Sequence, residues 1–121
     1  MKKVLFIFAL VAGGLFSQSL QAQEVVKLDQ TTGEFTQQEL NLKAGETYVF
    51  EVTNSGVDHE VGFVIAPKGK TDQKHHIPEA YLSKTITNGE TAASQEVTLE
   101  EGEYVYFCPL NPTPQYTLTV E

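Results

Sequence analysis

The chain has 121 residues, with sixteen acidic side chains against eight lysines, no arginine and a single cysteine, Cys108, for a formal charge of −8. Binding to nucleic acid relies on clustered cationic contacts to phosphate, so nucleic acid is not an expected partner. One cysteine also excludes an internal disulfide.

The N-terminus begins with Lys2 and Lys3, continues with the uncharged apolar run Val4 to Phe16, and passes into the polar "SQSLQA". A basic head, an apolar centre and a small residue before the cut form the layout of a secretory signal peptide. The apolar run is shorter than the ~20 residues that span a bilayer. The expected organisation is a signal peptide over residues 1–22, cleaved after Ala22, and one domain over residues 23–121. That domain is expected in the periplasm or secreted, with no stable membrane insertion. Without the two leading lysines, six basic residues face sixteen acidic ones, a formal balance of −10. Attraction to anionic lipid is therefore disfavoured. A free thiol in such a compartment is open to oxidation unless it is buried or bound.

Past the leader, short apolar segments alternate with turn signals. "EVVKLDQ" and "FTQQELNL" are expected strands divided at Thr32-Gly33. After Ala44-Gly45 comes "ETYVFEVT", where Tyr48, Phe50 and Val52 alternate with Thr47, Val49 and Glu51. "NSGVD" is a turn and "HEVGFVIA" the next expected strand. "SQEVTL", "EYVYFC" and "QYTLTV" complete the set. Segments of this kind, with little helix, indicate an all-β sandwich or barrel. The stretch from Pro67 to Lys84 is polar, and its "PEAYLSK" predicts a short helix within a long crossover. In "EYVYFC" the two-residue period places Tyr104, Tyr106 and Cys108 on one face and Val105 and Phe107 on the other. Both faces are apolar, as in a central strand.

"LNLKAGETYVFEVTNSGVDHEVGFVI" and "LEEGEYVYFCP…YTLTVE" together resemble the cupredoxins, the small blue-copper fold of plastocyanin and amicyanin. The resemblance runs from about Leu40 to Glu121, the middle loop excepted. It implies a Greek-key β-sandwich with one long loop or short helical insertion. It also implies a copper site of two imidazoles, a thiolate and a weak axial ligand. His59 stands where the first imidazole is expected, and Cys108 where the thiolate is. In the shortest loops of the family the second imidazole lies three residues after the cysteine and the methionine six. Here those positions hold Asn111 and Pro114. The expected metal set is therefore His59, Cys108 and Asn111, with Gln115, backbone carbonyls or a partner completing the coordination of copper.

Each of these residues also has a plain structural reading. Cys108 packs as a small hydrophobe in a core. His59, flanked by Asp58 and Glu60, serves as a strand-start histidine. His75 and His76 are adjacent, so they point to different sides and read as solvated loop residues. The loop "CPLNPTPQY" is either a preformed recognition surface or a proline-tightened turn. No order of serine, histidine and aspartate and no phosphate-binding loop is present, so an enzyme is not expected. The leading expectation is a copper-binding or electron-transfer protein with a non-standard, possibly degenerate site and a redox or copper-transfer partner. The alternative is a metal-free binding module of the same fold, acting through the proline loop 109–115.

Overall fold

The computed structural model describes residues 24–111 and 113–121. The expected signal peptide, residues 1–22, lies outside the described residues. Two sheets face each other. In the first, β1 (Glu24–Thr31) runs parallel to β4 (Thr47–Asn54), with Leu28 opposite Val52. The short β2 (Glu34–Phe35) folds back on β1 through a turn in which Gly33 takes φ 77°, a conformation that suits glycine. β6 (Thr91–Ala93) and β7 (Val97–Thr98) pair with the other edge of β4. The second sheet is ordered β3 (Glu39–Leu42), β9 (Tyr116–Val120), β8 (Gly102–Phe107), β5 (Val64–Pro67).

The expected all-β sandwich is what forms, and the alternation of β4 shows why. Tyr48, Phe50, Val52 and Asn54 are buried, whereas the residues between them are partly exposed. Tyr116, Leu118 and Val120 do the same in β9. Between the sheets sits an aromatic cluster. Phe35 meets Phe63, Tyr106 and Tyr116 edge-on, at ring separations of 5.9, 5.5 and 6.0 Å. Pairs of this geometry contribute about 0.5–1.5 kcal/mol each beyond the area they bury. The Tyr106 hydroxyl donates to Gln37 O at 2.6 Å, so its polar end is satisfied.

Four expected elements form differently, one of them "SQEVTL", which is strand only at Val97–Thr98. "FTQQELNL" is not one strand: it breaks between β2 and β3, which belong to different sheets. Phe35 and Leu40 are five residues apart, so one continuous strand would have turned them to opposite faces. "HEVGFVIA" is strand only from Val64 onward. Val61 instead exchanges both backbone hydrogen bonds with Ile86, at 3.0 and 3.1 Å. The expected helix in "PEAYLSK" is a single 3₁₀ turn, Pro78–Ala80, preceded by another at Gln73–His75. β8 is central, as its two apolar faces imply.

Candidate functional site

β8 delivers Cys108 to one end of the sandwich, where the residue is 4% exposed. The chain then turns tightly round the sulfur. The backbone N–H groups of Leu110 and Asn111 donate to Cys108 Sγ at 3.3 and 3.1 Å. A third donor, the N–H of Gly62, reaches it at 3.3 Å from across the fold. The Cys108 N–H donates to Thr113 Oγ1 at 3.1 Å, which closes the loop at its base. A thiol is a weak acceptor, so three donors converging on one buried sulfur make a specific local arrangement.

Asn111 is 2% exposed, and its side chain points away from the sulfur toward β1. Its Nδ2 donates to Gln30 Oε1 and to Thr31 O, both at 3.0 Å. Its Oδ1 accepts the Gly33 N–H at 3.2 Å. Both donors and the acceptor are engaged, and each partner belongs to β1 or to its turn into β2. Gln30, fully buried, donates to Gly62 O at 2.9 Å. Gln30 is the residue that sequence reasoning did not single out. The signal for it was its register: it follows Val26 and Leu28 on the inward face of β1.

His59 is exposed, in the turn before the Val61 bridge, and its Nδ1 lies 2.9 Å from Glu60 O. The residue that turns inward is Val61, fully buried. What His59 gives the interior is its carbonyl, which accepts Asn54 Nδ2 at 3.1 Å. Asn54 also donates to Ile86 O and accepts the Val57 N–H, so one buried amide organises the whole 54–59 turn. The fold thus brings Cys108 and Asn111 together through a backbone donor. The imidazole of His59 is bonded to its own neighbour's carbonyl. As a donor set for copper these groups do not fit: one soft donor, Cys108 Sγ, is present, and the Asn111 amide is spent on β1. Among the described residues, no group of three or more His, Cys, Asp or Glu side chains is placed to hold a metal ion.

His75 and His76 take separate partners. His75 Nδ1 lies 2.8 Å from Asp72 Oδ1, and this contact holds the Asp72 carboxyl below its usual range. His76 bridges Thr71 O at 2.9 Å and the Tyr81 hydroxyl at 2.8 Å, with its ring edge-on to Phe107. In the neutral ring, Nε2–H donates to the carbonyl and Nδ1 accepts from Tyr81. His76 is therefore a half-buried brace of the crossover rather than a solvated residue.

That brace forms one wall of an apolar groove. Two adjoining hollows of about 360 and 370 Å³ share Val64, Tyr81 and Pro109. Leu110 lies in the first and His76 in the second. Leu110 is 49% exposed and Tyr81 38%, and both are large apolar surfaces at the mouth. Lys84 lines the first hollow, and its ammonium meets Glu90 Oε2 at 3.4 Å. Hydrogen bonding from the Thr87 backbone and side chain, and after them Lys84, hold the Glu90 carboxyl below its usual range.

The chain matches the family described as cupredoxin-like domain over residues 3–120. Among solved structures, auracyanin B aligns with a TM-score of 0.67 at 18% identity, covering 81% of this chain and 88% of its own. Auracyanin A, described as a "blue" copper protein from Chloroflexus aurantiacus, gives a TM-score of 0.67 at 16% identity, over 83% and 100%. The reduced Cu(I) form of an amicyanin mutant gives 0.53 at 16% identity, over 84% and 87%. At these identities the likeness is one of fold. No curated protein matches the chain.

Proposed function

The chain belongs to the cupredoxin-like domain family, and from that premise we propose that it is an exported docking module of this fold, working without a bound metal. Its working surface is the loop 109–115 together with the groove beside it. The observation that carries the reading is Leu110: the loop that presents it is tied down at Cys108, Asn111 and Thr113, yet its side chain stands half-exposed at the mouth of an apolar groove. A fixed loop with an exposed apolar tip loses little conformational entropy on binding. The partner of such a surface is another exported protein. Export itself rests on the basic head and apolar run at the N-terminus.

A photo-reactive residue placed at Leu110 in cells tests this. It should give a discrete cross-linked species that a reactive group at Lys27, on β1 of the other sheet, does not give. Equal or absent cross-linking at both positions overturns the reading.

A second reading, copper handling with a redox or copper-transfer partner, is favoured by one observation: the thiol at the end of β8 receives three N–H donors. Copper titration of the purified chain, followed by visible absorption and native mass, tests it. Stoichiometric uptake that is lost in Cys108→Ser supports copper handling over docking. Absence of uptake removes it.

A further inference from the structure

Four residues form a closed hydrogen-bonded ring at the end of the sandwich that carries the thiol. Gly62 N–H donates to Cys108 Sγ at 3.3 Å, and Asn111 N–H donates to the same sulfur at 3.1 Å. The Asn111 amide donates to Gln30 Oε1 at 3.0 Å, and the Gln30 amide returns to Gly62 O at 2.9 Å. All four residues are buried. We infer that this ring takes the place of a metal ion as the device that fixes the turn from Cys108 to Asn111, so that this end of the sandwich is closed and set with no ion bound.

The chemistry of the groups supports this. In a loop held by a metal, side-chain donors converge on one centre, and their lone pairs lack partners when the ion is absent. Here both N–H groups and the oxygen of the Asn111 amide are bonded to protein, to Gln30, Thr31 and Gly33. Turning Asn111 Oδ1 toward the sulfur would strand those three partners, two of them backbone groups, at a cost of about 1–3 kcal/mol for each one that is buried. The amide is therefore locked in the orientation that binds β1, and the same lock positions Leu110 one residue before it. The inference concerns the loop alone and stands whether or not a docking partner is found.

Amide hydrogen exchange, read residue by residue by NMR on the full exported chain, tests it. The first sample contains a cupric and a cuprous chelator, and the second one equivalent of Cu(I). The N–H groups of Gly62, Leu110 and Asn111 should exchange about 100-fold or more slowly than in an unfolded peptide already in the chelated sample. Adding Cu(I) should leave that protection unchanged. Asn111→Ala should release Leu110 and residue 111 while the N–H of Tyr106, in the centre of β8, stays protected. Fast exchange in chelator that slows on addition of Cu(I) overturns the inference. So does undiminished protection in Asn111→Ala. If that variant does not fold, the two wild-type samples decide the matter.

Discussion

The side-chain amides of Gln30 and Asn111 meet at 3.0 Å in the buried end of the sandwich, although 81 residues separate them in the chain. The contact joins the first strand of the fold to the loop that follows the only cysteine. Neither amide has a solvated alternative, so the pair is specified by mutual need: each would otherwise be an unsatisfied polar group in an apolar interior.

Removing one member should therefore cost more than a surface change. Asn111→Ala strands Gln30 Oε1, the Thr31 carbonyl and the Gly33 N–H, and should lower unfolding stability by about 2–4 kcal/mol. Urea denaturation followed by tyrosine fluorescence measures it. A loss below about 0.5 kcal/mol, the range of neutral surface changes, would mean that the amide is not holding the loop.

Cys108 separates two kinds of loss. Cys108→Ser keeps an acceptor in reach of the three N–H groups, whereas Cys108→Ala leaves them facing a small void. Ala should be the less stable of the two, by about 1–2 kcal/mol. The reverse order in thermal denaturation would mean that the sulfur acts through apolar packing and that its hydrogen bonds contribute little.

Stability should fall on the alkaline side. Burial pushes the Tyr106 phenol up from its ordinary 10.0, with smaller contributions from Tyr116 and Glu39. Burial raises Tyr104 as well. Below pH 10 both states keep these protons, so the full contribution to stability is present. Above it the unfolded chain ionises first, and stability is lost by up to about 1.4 kcal/mol per pH unit for each such group. Tyr106→Phe should lose about 1 kcal/mol at pH 7 with its bond to Gln37. It should also show a shallower decline between pH 10 and 11, as measured by urea unfolding at each pH.

Leu110 should dissociate binding from stability. Because it is half-exposed, Leu110→Asp should change unfolding free energy by no more than about 0.5 kcal/mol. The same substitution should abolish cross-linking from a reactive group at Tyr81, on the opposite lip of the groove. Persistent cross-linking would move the docking surface elsewhere.

The sandwich was legible because its strands alternate: Tyr48, Phe50 and Val52 in β4 and Tyr116, Leu118 and Val120 in β9 carry their burial in their spacing. The same rule fails at Val61 to Ala66, where six consecutive residues are buried and nothing in the period shows where the strand begins. The strand starts only at Val64, and His59, expected on it, lies in a turn. Cys108 and the loop after it stood out because the one cysteine of the sequence closes an alternating aromatic strand, at the place where the resembled family carries its thiolate. Gln30 did not, because a glutamine in a strand is ordinary until its partner, far along the chain, is known. The groove wall of Val64, Tyr81 and Pro109 is built by three separate segments and has no local signature at all.

The position of β9 governs how the second sheet is held together. This strand, residues 116–120, lies between β3 and β8, and Glu121 just past it is anchored to the β3 side: Ala44 N–H donates to Glu121 O, and Glu121 N–H to Leu42 O. Among the described residues β3 has no strand neighbour in its sheet other than β9, so β3 joins the second sheet only through a pairing between segments far apart in the chain. Until β9 docks, β3 has no partner in its sheet, and the interior on that side stays uncovered.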